Sequence, residues 1–115
     1  MFKVVSPLIS LILCGSAAFS ETLNGVYDAS AAACQQEVSD SRVELSGGTI
    51  IFWESTCDLT NAIEIRGMSS AMLYDFQCYG EGEEWSYRAM LGGNQYSDLI
   101  IYVDGGLSTY VRCGK

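Results

Sequence analysis

Ala71-Met72-Leu73-Tyr74-Asp75-Phe76-Gln77-Cys78 is the stretch that decides the fold class. Met72, Tyr74, Phe76 and Cys78 recur at every second position, opposite Asp75 and Gln77, which is the period of a half-buried strand with Cys78 pointing inward. On its N-terminal side, Cys57, Leu59, Ile63 and Ile65 are expected on one face and Asp58, Thr60, Glu64 and Arg66 on the other, before Gly67 to Ser70 turn the chain. On its C-terminal side, Glu81, Gly82, Glu83 and Glu84 form a turn into Trp85, Tyr87, Ala89 and Leu91, which alternate with Ser86, Arg88 and Met90.

The same grammar extends to both ends. Arg42 to Leu45, a turn at Ser46, Gly47 and Gly48, and Thr49 to Glu54 read as a hairpin. Gly92 to Ser97 connect to a strand over Asp98 to Val103, and the tight turn at Asp104, Gly105 and Gly106 leads into a closing strand over Leu107 to Cys113. Thr22 to Tyr27 are expected as a short strand or as an arm over the core. Asp28 is expected to cap a helical turn running from Ala29 to Cys34. Short strands joined by tight turns, with no crossover helices, predict an all-β fold: a small antiparallel meander of about seven strands, closed into a barrel or packed as a sandwich, with a short N-terminal helical turn and disulfide staples.

The beginning of the chain has a different character. Lys3 precedes an apolar run from Leu8 to Leu13, and Gly15 to Ser20 supply small residues at Ala18 and Ser20, so residues 1–20 read as a secretory signal peptide cut before Glu21. The run is shorter than the roughly 18 residues of a membrane span, and no later stretch reaches that length. Cys14 follows Leu13, where a lipoprotein signal would place a small residue, so it is taken as filler in the discarded segment. Residues 21–115 are then expected to form one disulfide-bonded β domain with no membrane span, periplasmic or extracellular, in a compartment where cysteines oxidise.

Residues 21–115 hold five of the six basic residues and all 14 acidic ones, a formal charge of minus nine. A field of that sign repels nucleic acid and anionic lipid and favours a cationic protein as partner, or serves solubility alone. Cys34, Cys57, Cys78 and Cys113 are separated by 22, 20 and 34 residues, so no close pair exists to build half of a zinc site. Four cysteines allow three pairings. In an up-and-down meander Cys57 opens one strand and Cys78 ends the next, at the same end, which favours Cys57 with Cys78 and leaves Cys113 for Cys34.

The chain has no histidine, which removes imidazole-backed nucleophiles and the commonest transition-metal ligand. Paired carboxylates for glycoside hydrolysis are available among Glu54, Asp58, Glu64, Glu81, Glu83 and Glu84, but a barrel of this size leaves little room for a sugar cleft. The reading is non-enzymatic, with neither cofactor nor metal. The most distinctive cluster is Glu81, Glu83 and Glu84 beside Trp85, read either as a contact for a basic partner or as a solvated turn. Trp53, Trp85, Tyr74, Phe76 and Tyr87 are expected in the core, or lining a ligand pocket in a small-molecule carrier. The arginines are expected outside, paired across strands with acidic neighbours such as Glu44 or Glu64.

Gly25, Tyr27, Cys34, Glu54 to Cys57, Thr60, Asn61, the segment Cys78-Tyr79-Gly80-Glu81-Gly82-Glu83-Glu84-Trp85, and Arg112 with Cys113 together resemble short exported bacterial proteins of unassigned function that share a four-cysteine framework. That resemblance implies framework cysteines, turns and packing aromatics, and no catalytic residue. In size and acidity the chain is also similar to the periplasmic lysozyme inhibitors, but their Ser-Gly-x-x-Tyr loop is missing: Ser46, Gly47, Gly48 and Thr49 are followed by Ile50.

Overall fold

The computed structural model describes Phe19, residues 22–93 and residues 98–114. The signal-peptide reading rests on residues outside that set, Phe19 excepted, and the Gly92 to Ser97 connection lies mostly outside it.

Eight strands follow one another around a closed antiparallel barrel: β1 (Gly25–Asp28), β2 (Val43–Ser46), β3 (Thr49–Ile51), β4 (Thr56–Ile65), β5 (Met68–Gly80), β6 (Glu83–Gly92), β7 (Leu99–Val103) and β8 (Gly106–Arg112). The meander is the expected one, and closure decides between barrel and sandwich. The N-terminal segment is a strand rather than an arm. As β1 it pairs with β2 through Gly25–Leu45, Val26–Glu44 and Tyr27–Val43, and with β8 through Tyr27–Arg112 and Asp28–Val111, so that no sheet edge is left open.

An eight-stranded barrel has an interior just wide enough for side chains to fill. Here Tyr27, Phe76, Leu45, Ile50, Leu91 and Leu99 fill it, all of them fully buried. The Met72, Tyr74, Phe76 and Cys78 alternation points inward as its period demands, and Tyr87 packs on Phe76 with ring centroids 5.2 Å apart. The alternation read through β4 breaks at Asn61, which takes a left-handed φ of 53° while the β4–β5 register slips between Thr60 and Ile63. This bulge inserts a residue and reverses the faces beyond it. Leu59 and Ala62 therefore pack on the core, and Ile63, expected beside Cys57, is exposed.

The short helix α1 (Ala31–Cys34) starts two residues later than its expected beginning at Ala29. Ser30 is its cap, with its hydroxyl accepting from the Ala33 amide at 3.1 Å. Asp28 is not available for capping because it is fully buried in a polar cluster of its own. Its Oδ1 accepts from the Ala29 amide at 2.8 Å and from the hydroxyls of Ser41 at 2.6 Å and Ser39 at 3.1 Å, while Oδ2 accepts from Arg42 Nε at 3.1 Å. Arg42 also donates to the carbonyls of Ala33 at 2.8 Å and Gln36 at 2.7 Å. The expected surface pairing of Arg42 with Glu44 is thus replaced by a buried partner. Arg88 does pair across strands with Asp75, at 2.9 Å.

Candidate functional site

β5 and β6 are joined by two residues, Glu81 and Gly82, between the opposed pair Gly80 and Glu83. Both have positive φ, 52° and 81°, the type I′ geometry whose twist matches that of the flanking strands. The turn fixes which carboxylates share a face. Glu83 lies on the same side of β6 as Trp85, and Trp85 stands opposite Cys78, continuing a row that runs Ile50, Cys57, Cys78, Trp85 across β3 to β6. At the barrel mouth this inner row emerges into solvent, so Trp85 is 41% exposed although it stands on the core-facing side. Glu84 alternates to the outer face, opposite Tyr79.

A third carboxylate joins the cleft from elsewhere in the chain. A Cβ at Gly80 would collide with the carbonyl of Glu54 and crowd Ser55. The bare backbone of Gly80 lets the β3–β4 turn, residues 52–55, lie against the end of β5. Glu54 and Ser55 thereby join Gly80, Glu81, Glu83 and Trp85 around an open cleft of about 270 Å³. Of the four residues singled out in sequence, the structure gathers Glu81, Glu83 and Trp85 and places Glu84 outside. Glu54 is the addition, and Gly80 was the signal for it, since a glycine just before a turn that already has its own glycine marks a close backbone approach.

Below the cleft the cross-strand disulfide Cys57–Cys78 joins directly opposed residues with Cα atoms 3.9 Å apart. The second bridge, Cys34–Cys113, spans a Cα distance of 5.4 Å. The Cys113 amide donates to the carbonyl of Val26, whose side chain points out of the barrel, so this bridge ties α1 to the outside of the β1–β8 junction.

The site offers carboxylates and an indole, all solvent-facing. Among the described residues no group of three or more His, Cys, Asp or Glu side chains is arranged to hold a metal ion, and no helix is long and apolar enough to cross a membrane. The aromatics expected to share one role divide into two sets. Tyr74, Phe76 and Tyr87 belong to the packed interior, while Trp53, within the β3–β4 turn, and Trp85, on β6, stand exposed. Neither a known protein family, a curated protein nor a solved structure matches this chain.

Proposed function

We propose that this protein is an exported, non-enzymatic binding module whose acidic barrel mouth engages a cationic protein of the cell envelope or its surroundings. The observation that carries the reading is the cleft in which Glu54, Glu81 and Glu83 face one space beside the Trp85 ring. Carboxylates attract an ammonium or guanidinium, and an indole face adds a cation–π contact and covers the aliphatic stem of the arriving side chain. Residues 21–115 carry a formal charge of minus nine, which steers a basic partner toward the barrel at low ionic strength. Two disulfides suit an oxidising compartment. A carrier of small molecules in the barrel interior is the less economical reading, because Tyr27, Phe76, Leu45 and Ile50 already fill that space.

Binding to a panel of basic proteins, lysozyme among them, is the test, with an unrelated acidic protein of equal charge as reference. The reading expects tighter capture by this chain, weakening as salt is raised. Replacing Glu54, Glu81 and Glu83 together by glutamine is expected to weaken it roughly tenfold. Equal capture by the reference protein, or indifference to the triple substitution, overturns it.

A further inference from the structure

The outer face of β1 to β6 carries a second pattern that the mouth does not use. Reading the register around the barrel, Val26 opposes Glu44, Glu44 opposes Ile51, Ile51 opposes Thr56, Thr56 opposes Tyr79 and Tyr79 opposes Glu84. Directly opposed residues share a face, so these six side chains form one belt across six strands. Val26, Ile51 and Tyr79 are exposed apolar groups and alternate with the acids Glu44 and Glu84 and the small Thr56. Above Ile51 the belt opens into a groove of about 320 Å³ between residues 37–39 and 51–53, where Val38 is 65% and Trp53 54% exposed and Glu37 and Glu44 form the rim. Arg42 also lines the groove, but its guanidinium is turned inward onto Asp28 and the carbonyls of the 33–36 segment, so the charge presented to solvent is negative.

We propose that this belt and groove are a docking surface for one extended segment of a partner protein, with apolar residues at every third position and lysine or arginine between them. The proposal rests on the reading of a cationic partner and specifies how such a partner lies on the barrel. The acids along the belt select basic residues by charge complementarity, and the exposed apolar groups select an amphipathic segment over a merely basic one. The period follows from strand spacing. Apolar belt positions fall two strands apart, about 9.5 Å, and an extended segment in the polyproline II conformation, with three residues per turn, returns every third side chain to the same face after about 9.3 Å. A Val-Lys-Lys repeat laid across the strands therefore sets each valine near Val26, Ile51 or Tyr79 and the lysines near Glu44 and Glu84.

Two synthetic probes test this on the intact oxidised protein: a Val-Lys-Lys repeat peptide and oligolysine of the same length. The repeat is expected to bind roughly tenfold tighter than oligolysine. Ile51→Ser with Trp53→Ser is expected to remove that margin and leave oligolysine affinity as it was. Titrating labelled wild-type protein with the repeat is expected to shift the amides of Val26, Glu44, Ile51 and Tyr79 and the Trp53 indole N–H, a readout that does not depend on the variant folding. Equal affinity for the two probes, or shifts confined to Glu54, Glu81, Glu83 and Trp85, overturns the docking surface and leaves the cationic-partner reading standing. If neither probe binds and no basic protein does, both fall together.

Discussion

The two walls of this barrel are held by different means. β4, β5 and β6 are strands of 10, 13 and 10 residues; β5 and β6 pair without a break from Ala71–Gly92 to Gly80–Glu83, and β4 pairs with β5 along its whole length despite register shifts between Thr60 and Ile63 and between Glu64 and Ile65. β1, β2 and β3 have only 4, 4 and 3 residues, and β1 meets β8 through two opposed pairs. Where the ladder is long, the pairing itself is extensive, and the Cys57–Cys78 bridge links residues that already stand directly opposite each other. Where it is short, the chain supplies other cross-links: the bridge from α1 to Cys113, the Asp28 cluster, and Arg112, which donates to the Asn24 carbonyl at 2.8 Å and stacks on the Tyr27 ring at 4.8 Å. The proposed docking groove lies on this cross-linked side, between the 37–39 segment that Arg42 holds and the end of β3.

Removing the bridges one at a time is the strongest way to break that contrast. In the chain-entropy account, Cys34–Cys113, spanning 79 residues, contributes about 4.5 kcal/mol and Cys57–Cys78, spanning 21, about 3.4 kcal/mol. Paired serine substitutions are expected to follow that order in urea unfolding. Hydrogen exchange should differ more sharply: loss of Cys34–Cys113 opens β1 and β8 locally, whereas loss of Cys57–Cys78 leaves β5 and β6 protected by their own ladder. Equal protection of β1 in the two variants would mean that β1 needs no covalent help.

Asp28→Asn comes next. It leaves the Arg42 guanidinium without its anion at the end of a buried cluster, and breaking such a pair costs about 3 kcal/mol or more. Burial alone would push the Asp28 carboxyl upward, but donors from Ser41, the Ala29 amide, Ser39 and Arg42 outweigh it and hold the group below its ordinary value. A lowered folded-state pKa gives stability that is present above the unfolded value, about 3.9, and is lost as pH falls through the folded one. The wild type is therefore expected to lose seam stability below about pH 4, and Asp28→Asn to be less stable near neutrality with a flatter acid limb. Urea midpoints measured from neutral pH down to strong acid check both parts.

Gly80→Val is the next smaller disturbance. Its side chain would meet the backbone of Glu54 and Ser55, so the β3–β4 turn has to move, at a cost of about 1 to 3 kcal/mol. The same movement takes Glu54 out of the acidic cleft, so binding of a basic partner is expected to weaken along with stability. Unchanged binding in a folded Gly80→Val protein would show that Glu54 has no share in the mouth.

How much of this was legible in the sequence follows the same division. The long wall announces itself, because β5 and β6 alternate strictly and their turn carries its glycine where a type I′ turn requires one. The bulge at Asn61 does not: period-two reading carries Ile63 inward beside Cys57, and only the left-handed backbone at Asn61, stabilised by its side-chain amide bonding Asp75 at 2.8 Å, reverses it. The short wall is harder still. Three or four residues cannot establish a period, so the N-terminal segment reads equally as arm or strand. The fate of Asp28 depends on Ser39, Ser41 and Arg42, which lie 11 to 14 residues further along the chain. Local cap chemistry made Asp28 look like a helix start, and tertiary burial overrode it. The acidic turn was visible as a cluster, but the separation of Glu84 from Glu81 and Glu83 and the arrival of Glu54 are consequences of pairing.

The smallest expected effect is also the sharpest control. Asp75 and Arg88 repeat the carboxylate–guanidinium chemistry of Asp28 and Arg42 on the long wall, at 2.9 Å against 3.1 Å. Hydrogen bonds from Asn61 and then Arg88 hold the Asp75 carboxyl low as well. What differs is solvent: the Asp28 side chain is completely covered, while Asp75 retains about a quarter of its exposure and Arg88 about half. Water and salt screen the second pair and compensate either partner when the other is removed. Arg88→Ala is therefore expected to leave the urea midpoint at neutral pH within the error of the wild type, and added salt should erase any residue of an effect. If Arg88→Ala destabilised the barrel as much as Asp28→Asn, burial would not be what separates the two walls, and the short strands would need another explanation for their closure.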